Sequence, residues 1–217
     1  MEKSTGKPSL LGMFWSPSEQ FERIRHQPRI WLPLAIVTLI YTVASVIMAT
    51  MMKAEDLVVP GALTLEDAEA FLGFTKITTV VSGIVGTIIG ILVSSVIYLI
   101  IVKIAKKDTT FKQLFSMTTY IMVISATGML LNSLLQTMLD GKPGIQITSL
   151  AGVMNSDSLV LAQFEVFSIW GLILTAIGLH KVGQLSKGAS WAIAIVFFLI
   201  GLGFAMIGTA FEGITGL

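Results

Sequence analysis

The chain has no cysteine in its 217 residues. That absence excludes disulfides, thiolate nucleophiles and Cys-ligated zinc or iron–sulfur centres together. Charge is scarce as well. Only 12% of residues are Asp, Glu, Lys or Arg, about half the share of an ordinary soluble domain. The two histidines, His26 and His180, stand far apart. No HExxH, GxSxG or phosphate-binding glycine loop occurs in the sequence. None of the long apolar runs contains an aspartate, so the paired carboxylates of an intramembrane protease are missing too. These gaps point to a protein that is not an enzyme and has no cofactor and no metal centre. The net charge of +1 offers nothing to a nucleic acid.

What the chain does have is hydrophobicity, at 54% of residues, gathered into five blocks. The runs cover residues 31–52, 77–102, 114–138, 159–182 and 190–211. Each is near or above the ~20 residues needed to cross about 30 Å of hydrocarbon. Backbone groups in lipid must bond within the segment, so runs of this length should be helices. Pro33 falls in the first turn of the first run, where its missing N–H is harmless. The fold class expected is all-α: an integral membrane bundle of five transmembrane helices, preceded by an N-terminal cytoplasmic amphipathic helix. Residues 1–30 would be the cytoplasmic segment and residues 31–217 the membrane domain. A cleaved signal peptide is not expected, because about thirty polar residues precede the first run, which is longer than a signal core.

The charges between the runs are sorted by sign. Lys3, Lys7, Arg23, Arg25, Arg29, Lys103, Lys106, Lys107, Lys112, Lys181 and Lys187 fall on one side. Lys53, Lys76 and Lys142 fall on the other, with Glu55, Asp56, Glu66, Asp67, Glu69, Asp140, Asp157 and Glu212. The positive-inside rule then places the N-terminus in the cytoplasm and the C-terminus outside the cell membrane. Two outer loops are long. In residues 53–76, Val58-Val59-Pro60-Gly61 signals a turn, and Thr64 with Asp67 signals the start of a short helix bearing Phe71 and Phe74 on one face. The loop after residue 139 opens on Asp140-Gly141-Lys142-Pro143-Gly144, a tight turn.

Ahead of the first run, Ser16, Pro17 and Glu19 read as N-cap, N1 and N3 of a helix with a capping box. Pro28 should stop that helix near His26. Phe21 and Ile24 share a face, and Arg23 and Arg25 point elsewhere. Such a helix can lie at the headgroups, each arginine contributing ~1 kcal/mol against anionic lipid, or pack beneath the bundle. The segment Ser16-Pro17-x-Glu19-x-Phe21-x-x-Ile24-Arg25-x-x-Pro28 before five apolar runs resembles the opening of bacterial Yip1-domain proteins. The glycine-rich second run, the basic loop before Phe111, and Tyr120 fit the same pattern. The Asp-Leu-Tyr-Gly-Pro motif of eukaryotic members is absent. The resemblance implies a non-enzymatic accessory protein that partners components of a MacAB-like ABC exporter and contributes to defence against a toxic peptide.

Two features inside the runs invite a role. Thr78, Ser82, Gly86, Gly90 and Ser94 recur every fourth residue, as do Gly201, Ala205, Thr209 and Gly213. Small ridges let helices approach closely in lipid, within one chain, in a homo-oligomer or against another membrane protein. Asn132, Gln136 and Glu165 should lie at similar depth in the outer leaflet. They could form a polar cluster that binds a ligand group or fixes helix register. Alternatively, the fourth helix starts later and leaves Glu165 solvated at the interface. His180 is expected to cap carbonyls at a helix end. A small-solute transporter or channel subunit, or a lipid-organising protein, remains the alternative to an exporter partner.

Overall fold

The computed structural model describes residues 6–59, 61–139 and 145–215, with side chains as far as residue 207. Lys3, Pro60, the turn at 140–144, the side chains of Thr209, Phe211 and Glu212, and Gly213 as a packing position lie outside the described residues. The described chain is helical. A 3-10 turn, Leu11–Met13, precedes α1 (Pro17–His26) and α2 (Trp31–Met51). A second 3-10 turn, Ala54–Leu57, leads to α3 (Leu65–Ile104), and then comes α4 (Phe111–Leu139). Two single turns, α5 (Leu150–Val153) and α6 (Leu159–Ala162), precede α7 (Val166–Lys181) and α8 (Lys187–Thr215). Four helices, α2, α3, α4 and α8, are long and apolar enough to cross a membrane.

The fourth apolar run differs from the sequence expectation. It is not one helix over 159–182. It breaks after α6 and restarts at Val166, and the resulting α7 has 16 residues, about 24 Å of helix. The second run differs in the opposite sense. Thr64 and Asp67 do form the capping box, with Asp67 N bonded to Thr64 Oγ1 at 3.2 Å. The helix they start does not stop before the membrane, however. It continues without a break into the apolar run as one rod of 40 residues, about 60 Å long and twice the thickness of the hydrocarbon. No proline or capping signal separates the two parts, so nothing ends the first.

α4 is the axis of the bundle. Two-thirds of its apolar window is buried, against 17–28% for α2, α3 and α8. It packs against α1, α2, α3 and α7, and its Leu114, Met117, Tyr120, Ile121 and Ile124 join Val37, Val102, Leu174 and Leu179 in one core. The outer faces of α2, α3 and α8 keep large side chains exposed along their whole length, among them Leu39, Ile89, Val93, Val196 and Leu199. A soluble protein would not leave so much apolar surface uncovered; lipid-facing helices require it. Across the core, the Tyr98 ring of α3 meets Phe197 of α8 edge-on at 5.5 Å.

α2 and α3 meet most closely where Gly83 faces Ser45. A Cβ at Gly83 would overlap the Ser45 hydroxyl and sit 2.8 Å from Ser45 Cβ, whereas one at Gly86 would meet nothing within 4 Å. Gly83→Leu should therefore lower thermal stability in detergent, by the ~1–3 kcal/mol typical of overpacking. Gly86→Leu should leave the melting profile unchanged. Fluorescence-detected gel filtration after heating measures both, and an equal loss for the two variants would contradict this packing.

Candidate functional site

At the end of the bundle where α4 finishes and α7 starts, the connecting chain folds inward. Leu150 N bonds to the Phe164 carbonyl at 3.0 Å, and Ser149 and Glu165 form an isolated bridge. α6 lies along α8, and the Phe164 ring meets Phe198 edge-on at 5.6 Å. Phe198 is the twelfth residue of α8, about 16 Å along the rod from Lys187. The connection thus reaches a depth at which irregular backbone must be satisfied by protein.

Asn132 and Gln136 of α4 satisfy it. Gln136 Nε2 donates to the Ile145 carbonyl at 2.7 Å. Asn132 Oδ1 accepts from Thr148 N at 3.0 Å, and its Nδ2 donates to Thr148 Oγ1 at 2.8 Å and to the Gly128 carbonyl at 2.9 Å. The Thr148 hydroxyl in turn donates to Glu165 Oε1 at 2.6 Å. Glu165 Oε2 accepts from Ser168 N at 2.7 Å, which caps α7. Glu165, Asn132 and Gln136 are all buried.

The structure thus brings the three polar residues of the sequence reading into one region. Asn132 and Glu165 join through Thr148, which that reading did not single out. A threonine in the short stretch Gln146-Ile147-Thr148-Ser149 carries no distinguishing pattern; only the fold gives it a role. The helix does start later than residue 159, yet Glu165 is not solvated, because the infolded connection covers it. The hydrogen-bonding capacity of Asn132 and Thr148 is taken up within the cluster. The arrangement holds backbone in place and offers those two residues to no ligand.

The ridge on α3 takes a different position. Thr87, Ile91, Ser95 and Tyr98 face the core, while Ser82 and Gly86 are exposed and Thr78, Gly90 and Ser94 half-buried. Added Cβ atoms at Gly86 and Gly90 would meet nothing within 4 Å. On α8, a Cβ at Gly201 would lie 3.7 Å from Gln163 Oε1, beside the infolded connection, and Ala205 is buried. The packing register on α3 is one residue off the ridge, at Gly83 and Thr87. Ala44, Ser45 and Ala49 on α2 were its signal, since small residues cluster there too.

At the opposite end, Ser16 precedes α1 and Pro17 opens it, as expected, and the helix ends at His26. The capping box is not formed. The Ser16 hydroxyl donates to the Gly12 carbonyl at 3.3 Å and accepts from Gln20 Nε2 at 3.1 Å. Glu19 turns away to Arg23 at 2.6 Å. Gln20, buried, also accepts from Ser9 N at 2.9 Å, so it organises the segment in place of Glu19. Phe21 and Ile24 are wholly buried in the common core. Arg25 stands 3.8 Å from Glu22. α4 then fastens this segment from beneath: Gln113 Nε2 donates to the Arg25 carbonyl at 2.7 Å, Ser116 Oγ to that of Arg29 at 2.8 Å, and Tyr120 OH to that of Pro8 at 3.1 Å. His180 Nδ1 meets the Leu185 carbonyl at 2.8 Å, just past the end of α7.

No cluster of His, Asp or Glu able to hold a metal occurs among the described residues. A bundle of long apolar helices, with lipid-facing outer surfaces and irregular backbone fastened at both ends, defines a multi-pass helical membrane protein. The chain belongs to the Yip1 domain family, whose model matches residues 11–208. It is 37% identical over 229 residues to the membrane protein YknW of Bacillus subtilis (strain 168), covering 100% of this chain and 98% of that one. No solved structure matches.

Thr148→Val should remove the bridge while preserving shape. It leaves the Asn132 amide and the Glu165 carboxylate short of partners, at a cost of about 1–3 kcal/mol. Combined with Asn132→Ala, the losses should be less than additive, because the two residues share bonds. Thermal unfolding in detergent and limited proteolysis within 145–165 check both; strictly additive losses would contradict the network.

Proposed function

We propose that this chain is a five-span accessory protein of the cell membrane, with its N-terminus cytoplasmic and C-terminus extracellular, that acts by binding a second membrane protein. The partner proposed is a MacAB-like ABC exporter, and the role a contribution to defence against a toxic peptide. The observation that carries the binding role is the small-residue ridge of α3. Gly86 and Gly90 have open space before them, so the closest backbone approach this helix allows is unused by the chain itself. Membership of the Yip1 domain family supports the membrane setting.

The fifth crossing is supported by the course of residues 159–181. α7 alone falls short of the hydrocarbon thickness, and the infolded connection fills the remainder above it. The orientation is supported by Lys103, Lys106, Lys107, Lys112, Lys181 and Lys187, which share one end of the bundle with the exposed rings of Trp15, Trp31 and Trp191. Basic residues mark the cytoplasmic side, and tryptophan marks the interface. A transport role has less support. At mid-depth Ile124 and Leu174 belong to one buried apolar core. A lipid-organising role for α1 is weakened because Phe21 and Ile24 are already occupied by the core.

The absence of native cysteine makes the topology directly measurable. Asn155→Cys should react with an impermeant maleimide in intact cells, and Lys106→Cys only after permeabilisation. Partner binding is measured by co-purification from native membranes. Gly86→Leu with Gly90→Leu should insert normally but lose exporter components; full recovery of them would remove the ridge as the contact. If the same double variant changes only self-association, the ridge serves a homo-oligomer.

A further inference from the structure

Where α1, α7 and α8 converge, Ser18, Ala176, Ile177, His180, Lys181, Lys187 and Trp191 line an open cleft of about 350 Å³. Its composition is divided. Ala176 and Ile177 supply an apolar wall, Lys181 and Lys187 two cations, Ser18 a hydroxyl, and Trp191 a half-exposed ring. These residues come from the last two turns of α7, the first turn of α1 and the first two turns of α8. They therefore sit at a helix-end level, where headgroups meet hydrocarbon. Tryptophan favours that level, and basic pockets between membrane helices suit anionic headgroups.

We propose that this cleft binds the phosphate of an anionic phospholipid, with Lys187 and Lys181 as its cationic contacts and Trp191 beside the glycerol and upper acyl chain. Lys187 has no ion-pair partner among the described residues. It is also the first residue of α8, where the helix dipole adds to its attraction for an anion. Lys181 is held 3.8 Å from Glu22, which also stands 3.8 Å from Arg25 and 3.7 Å from His26. Glu22 is the carboxylate that opposes an anion here, so its neutralisation should tighten binding. His180 takes a supporting part, its Nδ1 engaged by the Leu185 carbonyl, which fixes the loop between the two lysines. The seat is distinct from the α3 ridge and does not depend on the partner binding proposed above.

The test uses the full chain purified in neutral detergent and titrated with phosphatidylglycerol or phosphatidylcholine, the retained lipid being counted by native mass spectrometry. Phosphatidylglycerol should be retained preferentially. Lys187→Gln should lower its retention about fivefold, the effect of one surface cation near anionic lipid. Lys187→Arg should preserve it, and Glu22→Gln should raise it. Lys112→Gln removes the same charge outside the cleft and should change nothing. An equal loss for Lys112→Gln and Lys187→Gln would mean a diffuse field and overturn the site, as would the absence of any preference for phosphatidylglycerol. Release of the lipid by millimolar glycerol phosphate or inorganic phosphate would assign the cleft to a soluble phosphate and overturn the lipid reading.

Discussion

A backbone amide or carbonyl cannot be left unbonded beside hydrocarbon, and that constraint organises this molecule. Long helices meet it by themselves. The chain also contains irregular stretches that do not, and α4 supplies what they lack. At one end its Gln113, Ser116 and Tyr120 hold the carbonyls of Arg25, Arg29 and Pro8. At the other end its Asn132 and Gln136 hold residues 145 and 148. The most buried helix is thus also the one whose polar side chains reach outward from both ends. Its middle packs, and its end side chains bond the irregular backbone. This division explains why α4 has the lowest mean hydropathy of the four long apolar helices while being the best covered.

The same constraint accounts for Glu165. A carboxylate among apolar helices would be costly if alone. Here one oxygen accepts a hydroxyl and the other a helix N–H, and α7 begins at the next residue. Negative charge near a helix N-terminus is favoured by the helix dipole. Its place in the chain reflects where the broken fourth run restarts. The polar cluster, the break and the short α7 are one device: a connection folded into the membrane-facing bundle and fastened there.

Much of this fold is legible in the sequence, because hydrophobic runs are long-range averages. The positions of α2, α4 and α8, the end of α1 and the cap at Thr64 follow from local chemistry. What local chemistry leaves open is decided by one residue of register or by one competing side chain. The four-residue spacing of Ser82, Gly86 and Gly90 is as regular as that of Gly83 and Thr87, but only Ser45 on the facing helix determines which row turns inward. Likewise Ser16 and Glu19 match a capping box, but Gln20 competes for the same hydroxyl and wins because it is buried. The break before Val166 has no proline or glycine to announce it. It depends on Thr148 and Asn132, far away in sequence.

The uninterrupted length of α3 has a mechanical consequence. A continuous helix is stiff against bending and twisting over 40 residues, so its ends do not move independently. The stretch bearing Phe71 and Phe74 is largely uncovered, whereas Gly83 lies locked against Ser45. A torque applied to the uncovered tip would be delivered, undiminished by any hinge, to that lock and to Tyr98 beyond it, whose ring packs against Phe197 of α8.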